Sequence, residues 1–268
     1  MKKQEMTDFS NTLFADIGNT SIDTLFLSKG QILFEKISGK DTHALEEYLQ
    51  KIYNHSSLDR LIITSVNRIS LNQFLDAVKK HATNLDIHLI QRNDMELYCK
   101  EHHLKVDNLD ILGSDLLCDI ISKDNKAGQI IIDLGTASKI LFLDSNNYFH
   151  GCQIFPSLLS FPKVLNASTD LLGDNALTDM PPLVSLKTQE CISSGAINGV
   201  SALIASMIQA IKKEYDCPNC DIYLTGGNAK YILNTLKLFT DENVIYDEYH
   251  ILKGLMRLSG YDVNLQLS

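Results

Sequence analysis

The chain has 268 residues, 44% of them hydrophobic and 21% charged, enough to bury a sizeable core as one large domain or two similar halves. A formal net charge of -9 speaks against nucleic acid or an anionic membrane surface as the main partner. No run approaches 18 consecutive apolar residues, so no transmembrane helix is expected. The opening MKKQEMTDFSN has no apolar stretch behind its lysines, and six scattered cysteines suit reduced thiols, so the expected compartment is the cytoplasm.

In chain order, TLFADIGNTSIDTLFLSKGQILFEKI predicts three β-strands, Thr12–Ile17, Ser21–Leu27 and Gln31–Ile37, with Lys29-Gly30 as a tight turn. Leu45, Tyr48, Leu49 and Ile52 keep helical spacing. DRLIITSV then reads as a strand, residues 70–83 as a helix and DIHLIQ as another strand, an alternation that favours an α/β layer fold. LGSDLLCDII has the look of a helix start. GQIIIDLG, SKILFLD and YFHGCQIF form a second meander, followed by a helical stretch near residues 158–169 and a Pro-containing loop at Thr178–Val184. From Thr188 to Tyr215 the apolar spacing predicts one long, mostly buried helix. DIYLT is a strand ending in Gly226-Gly227, and NAKYILNTLKLF reads as helical.

The two meanders open alike. ADIGNT (15–20) and IDLGTA (132–137) each place Asp-apolar-Gly at the end of an apolar run, which suggests an internal duplication of about 117 residues. A Gly-containing turn with small polar residues lets backbone N–H groups approach a phosphate as an anion nest. An aspartate at such a turn repels phosphate, and it makes sense if a cation such as Mg²⁺ or K⁺ lies between them. Two such loops would grip one polyphosphate, and Gly226-Gly227 could admit an adenine or ribose. Neither a P-loop nor a Rossmann glycine motif occurs. Cys217-Pro-Asn-Cys220 is read as a loop with two incidental thiols, with metal or redox work as the alternative.

This arrangement resembles the superfamily of acetate and sugar kinases and actin-like ATPases, and within it the type III pantothenate kinase family. The motifs that carry the likeness are Asp16-Ile17-Gly18-Asn19-Thr20, Gly113-Ser114-Asp115, Asp133–Ala137, Gly151 with Pro156, Thr188 with Ser194-Gly195, Thr225-Gly226-Gly227 and Leu252-Lys253-Gly254-Leu255. The resemblance implies an α/β fold of duplicated ribonuclease-H-like halves with mixed sheets flanked by helices, divided at 1–125 and 126–268. It implies phosphorylation of the primary hydroxyl of pantothenate by ATP with Mg²⁺ and a monovalent cation, K⁺ or NH₄⁺, in a homodimer.

On the same resemblance, Asp16, Gly18, Asn19, Thr20, Thr136, Gly226 and Gly227 bind ATP, and residues from Asp16 to Asp23 hold its phosphates and Mg²⁺. Asp115 is the general base, Asp133 binds the monovalent cation, and Val106, Gly113, Ser114, Leu116 and Thr188 stand in the acceptor site. The base assignment agrees with the chemistry, because a hydroxyl must lose its proton as it attacks the γ-phosphorus. Simpler roles also suit these residues: a turn aspartate for Asp16, helix caps for Asp115 and Thr188, and a strand-to-helix turn for Gly226-Gly227.

The departures from the family pattern lie in the acceptor segment. Val106 stands where the family has Tyr, Leu116 where it has the Arg that could pair with a carboxylate, Ser157 where it has Gly, and Ser138-Lys139 where the second loop is rich in Thr. Lys139 reads as a solvated strand residue, or alternatively as a new positive charge near phosphate. A diverged ATP-binding paralogue with another alcohol, or a regulatory binder, is the second functional reading. A nucleotide-switch assembly module is the third.

Overall fold

A computed structural model gives the fold, and it describes residues 11–28, 31–38, 41–81, 84–168 and 176–261. The expected Lys29-Gly30 turn lies outside them. The first meander is β1 (Thr12–Ile17), β2 (Ser21–Ser28) and β3 (Gln31–Ser38), followed by α1 (Thr42–His55), whose Leu45, Tyr48, Leu49 and Ile52 are buried as their spacing requires. Next come β4 (Arg60–Ser65), α2 (Arg68–Lys79) and β5 (Asp86–Leu89). Helix α2 starts two residues ahead of the predicted stretch because Asn67 Oδ1 accepts the Ser70 N–H at 2.9 Å, an N-cap. Then follow α3 (Arg92–Glu101), the two-residue β6 (Lys105–Val106) and α4 (Ser114–Ile121).

The second meander is β7 (Gln129–Leu134), β8 (Ala137–Leu143) and β9 (Tyr148–Pro156), with α5 (Ser160–Ser168) and α6 (Thr188–Glu214) behind it. After β10 (Asp221–Thr225) the expected helix is cut short to α7 (Ala229–Ile232) and a 3₁₀ turn at Leu236–Leu238. Thr235 Oγ1 donates to the Ile232 carbonyl at 3.2 Å, a local bond that competes with helix continuation. The chain then forms β11 (Val244–Tyr246) and α8 (His250–Leu258).

These elements make two compact units. The first takes the chain up to His103, then Asn108–Asp124, and everything from His250 on; the second takes Leu104–Asp107 and Asn125–Tyr249. The first unit's sheet has the order β3-β2-β1-β4-β5, with β1, β4 and β5 parallel and the β1-β2-β3 meander antiparallel. The second unit's sheet has the order β11-β10-β7-β8-β9-β6. Without β6 at its edge, that order repeats the first, with β7 standing for β1 and β10 for β4, and the parallel and antiparallel pairings repeat too. The duplication read from two short motifs is therefore a duplication of whole sheets. The result is two α/β halves with mixed sheets flanked by helices, as the resemblance implies.

Each unit has its own core. In the first, Leu13, Ala15 and Ile17 of β1 pack against Tyr48, Leu49, Phe74 and Val78 of α1 and α2. In the second, Ile130, Ile132 and Leu134 of β7 meet Ala196, Ile197, Val200, Ile204 and Ile208 of α6. Burial of each Leu, Ile, Val or Phe among them contributes roughly 1.5–3 kcal/mol. Helix α6 is long and apolar enough to cross a membrane by length and composition, yet 61% of that apolar window is buried inside the protein, as a core helix requires. Helix α8 belongs to the first unit, where it packs on α4 and β1.

Candidate active site

In the first unit the turn that follows β1 is closed by the Gly18 N–H donating to the Ser21 carbonyl at 3.0 Å, which leaves Asn19 and Thr20 exposed at its tip. Asn67 fixes this tip, since its Nδ2 donates to Asn19 Oδ1 at 3.1 Å while its own Oδ1 caps α2. Asp16, half-buried at the end of β1, has two register neighbours. Across the antiparallel pair lies Asp23 of β2, and across the parallel pair lies Thr64 of β4. Directly opposed residues of an antiparallel pair share a sheet face, so Asp16 and Asp23 present two carboxylates side by side, a set of hard oxygens suited to Mg²⁺. Asp23 also pairs with Lys36 of β3 at 3.1 Å, in a largely solvated contact.

Thr64 connects this turn to the predicted base. Its Oγ1 lies 2.6 Å from Ser114 Oγ at the first position of α4, and Asp115 is the next residue. Gly113 is the N-cap, with extended backbone and no side-chain cap bond, so neither Ser114 nor Asp115 is the N-cap. Asp115 sits in the first helical turn, where the helix dipole favours a carboxylate, and its Oδ1 lies over Gly113, where a Cβ would stand. Burial pushes the thiol of Cys118, one turn further along α4, well above its usual range, and the carboxylates of Asp16, Asp119 and Asp115 add to this. One buried thiol thus feels both Asp16 and Asp115, so the two carboxylates lie near the same stretch of α4.

Helix α4 is held from behind. His250 Nε2 lies 3.0 Å from the Asp119 carbonyl, and Gly254 of α8 crosses α4 so closely that any Cβ would run into the Cys118 carbonyl. That crossing is why Leu252-Lys253-Gly254-Leu255 carries a glycine. The motif alone does not reveal this purpose, because the partner helix lies more than a hundred residues upstream.

In the second unit, Asp133 ends β7, 9% exposed, with Gly135 and the exposed Thr136 in the turn beyond it. Thr225 of β10 is its parallel register neighbour. Gly226, at φ +89, comes so near that an added Cβ would lie 2.5 Å from Asp133 Oδ1 and equally near the Leu134 backbone. Only glycine takes both that conformation and that approach. Asn228, absent from the predicted set, locks the two turns together: its N–H donates to the Leu134 carbonyl at 2.9 Å, and its Nδ2 donates to the Gly135 carbonyl at 2.9 Å and to Ser157 Oγ at 3.0 Å. The family departure at Ser157 therefore has a hydrogen-bonding role.

Lys139 is not the solvated strand residue expected. It faces Asp133 directly across β7 and β8, and its Nζ lies 2.8 Å from Asp133 Oδ2 with side chains only 16% and 12% exposed. The intervening turn sets that register, and the pair lies at the half-buried end of the hairpin. A site for a monovalent cation on this carboxylate does not fit the donor set, because an ammonium already holds one oxygen and Gly226 closes over the other.

The acceptor-side residues divide between the two units. Val106 is half-buried in β6, paired with Phe149 of β9, and belongs to the second unit, while Gly113, Ser114, Asp115 and Leu116 belong to the first. Thr188 is exposed at the first position of α6, after Lys187 as N-cap. Cys217 and Cys220 are free thiols, and burial with the neighbouring Cys217 pushes Cys220 up to about 12. Among the described residues no cluster of His, Cys, Asp and Glu is arranged to hold a metal by itself.

The class of protein is a kinase, an enzyme that transfers a phosphoryl group. Residues 12–210 match the type III pantothenate kinase family, and the chain belongs to that family. A type III pantothenate kinase from Acholeplasma laidlawii is 27% identical over 248 residues, covering 91% of this chain and 96% of that protein. Among solved structures, a conserved protein of the Baf transcriptional-activator family from Campylobacter jejuni matches with a TM-score of 0.54 at 20% identity, covering 92% of this chain and 96% of that one. The activator of 2-hydroxyisocaproyl-CoA dehydratase from Clostridium difficile, with bound ADPNP, matches at 0.51 and 16% identity, over 93% and 94% of the two chains. At these identities the solved structures show the fold alone.

Proposed function

We propose that the chain transfers the γ-phosphoryl group of ATP to the primary hydroxyl of pantothenate, the first step of coenzyme A biosynthesis, with Asp115 as the general base. The observation that carries the base assignment is the chain of neighbours Asp16, Thr64, Ser114 and Asp115, which puts a carboxylate on a helix N-terminus beside the first phosphate turn. In this reading the turn Asp16–Thr20 receives ATP phosphates on Gly18, Asn19 and Thr20, and Thr136, Gly226 and Gly227 contact the nucleotide from the second turn. Asp16 would hold Mg²⁺ through the phosphates, and the ion would supply charge that offsets theirs. Asp115 accepts the hydroxyl proton as the oxygen attacks phosphorus and ADP departs, a step that places most of the work on alignment. Gly113, Ser114, Leu116, Val106 and Thr188 form the acceptor side, with apolar contacts at Val106 and Leu116 in place of polar ones. Asp133 takes no monovalent cation here, its carboxylate being paired with Lys139. Cytoplasmic location and a homodimer that completes the acceptor pocket are part of the same proposal.

The test is a coupled ADP-release assay with mass detection of phosphopantothenate, run on the wild type and on Asp115→Asn. Phosphorylated product from the wild type, lost in the variant with nucleotide affinity retained, is the expected result. Tight ATP binding with no product from pantothenate would sink the acceptor assignment. Light scattering checks the dimer, and a mass near the 30.0 kDa of one chain would remove it.

A further inference from the structure

The duplicated hairpins place one residue directly across from each turn aspartate, and in the second hairpin that residue is Lys139. We propose that Lys139 is a resident cation of the second turn, its ammonium standing where a K⁺ or NH₄⁺ ion would otherwise balance Asp133, so that the nucleotide site works without a monovalent ion. This rests on the reading of the second turn as a nucleotide contact.

Three features support it. The contact is direct, 2.8 Å between Lys139 Nζ and Asp133 Oδ2. Both side chains are mostly withdrawn from water, so the pair is far less screened than a surface ion pair. The other carboxylate oxygen faces Gly226, whose close approach leaves no room there for a Cβ. A second cation on this carboxylate would have to displace the ammonium or lie against it, and like charges at that separation repel. A lysine ammonium is a compact point charge, as a monovalent ion is. Being covalently tethered, it needs no ion from solution. The position is available because hairpin register puts it there, and the same register puts Asp23, not a lysine, across from Asp16.

The experiment measures affinity for a non-hydrolysable ATP analogue with Mg²⁺ by calorimetry, in tetramethylammonium chloride and in KCl at equal ionic strength. Tetramethylammonium is too bulky to enter a coordination site. The wild type is expected to bind equally in the two salts, within about twofold. Lys139→Thr is expected to lose roughly tenfold or more in tetramethylammonium and to recover in KCl, as happens when a support of a charged site is removed. Lys139→Arg keeps the charge and should stay indifferent to K⁺.

A wild type whose affinity rises roughly tenfold or more with K⁺ would overturn the proposal, and so would a Lys139→Thr variant that binds normally without it. If Lys139→Thr does not fold, the wild type and Lys139→Arg in the two salts still decide. If no nucleotide binds in either salt, the nucleotide reading fails on its own, and thermal melts of the unliganded proteins answer the remaining question. A K⁺-specific rise in Tm confined to Lys139→Thr supports a displaced ion site, and any other pattern overturns it.

Discussion

The two Asp-Gly turns share a scaffold and differ in the residue that faces the aspartate. Asp16 has Asp23 opposite it on the antiparallel neighbour, and Asp133 has Lys139. Like charges directly opposed in a sheet are destabilising unless something offsets them, and opposite charges stabilise. In the first hairpin the nearest lysine partner, Lys36, pairs with Asp23 in a largely solvated contact, while in the second Lys139 pairs directly with the turn aspartate and is mostly withdrawn from water. Burial follows the same division: Asp16 is half-buried and Asp133 is 9% exposed. Duplication supplied two equivalent backbones, and single side chains at one register position gave them different electrostatic tasks.

The largest expected effect is at Asp115, which lies near Asp16 of the first turn. Asp115→Asn keeps the size of the side chain and the helix start but cannot accept a proton. The expected loss in kcat is about 10²–10⁴-fold with nucleotide affinity kept, read by steady-state kinetics and calorimetry. A variant within a few-fold of the wild type would mean that proton acceptance lies elsewhere.

A smaller effect is expected from making the first turn resemble the second. Asp23→Lys would set an ammonium opposite Asp16 and reproduce the Asp133–Lys139 arrangement. If the first turn works through a divalent cation, kcat/KM for ATP should fall roughly 10–100-fold, with the Mg²⁺ concentration needed for half activity shifted upward. Unchanged Mg²⁺ dependence would show that the two turns are interchangeable and break the comparison.

How far these differences could be read from sequence depends on range. The strands β1 and β7 and their turns were legible because apolar runs ending in Asp-apolar-Gly are local features, and α6 was legible from its 3.6-residue apolar spacing. Lys139 was misread because its partner is set by hairpin register, which depends on where the turn falls and not on the lysine's immediate neighbours. Helix α3 passed unnoticed because it is polar, with only Met95 and Cys99 buried, and its start is marked by Gln91 and Asp94 acting as a reciprocal cap. Strand β6 has two residues and no pattern to show. Asn228 gives no local sign of its role, since its three partners lie about seventy to ninety residues upstream.

Gly254 probes the support behind Asp115. Gly254→Ala would force α8 away from the Cys118 carbonyl, a backbone obstacle that no rotamer change relieves. The expected cost is about 1–3 kcal/mol, read as a lower midpoint in urea with unchanged m-value, and accompanied by reduced kcat because α4 carries the base. Lost stability with kcat intact would mean that α4 holds Asp115 in place without α8.

The smallest expected effect concerns Lys36, which pairs with Asp23 on the first hairpin. Lys36 reaches Asp23 at 3.1 Å, but its side chain is 46% exposed, so the pair is screened and entropically costly to hold. Lys36→Ala should therefore change stability by only about 0–1 kcal/mol and leave the Mg²⁺ dependence where it was. The corresponding contact at the second turn joins side chains that are 16% and 12% exposed, where loss of one partner leaves a charge facing little solvent. If Lys36→Ala proved as damaging as Lys139→Thr, burial would not be what separates the turns. The first hairpin would then also depend on a lysine of its own, placed on β3 where the second hairpin places one on β8.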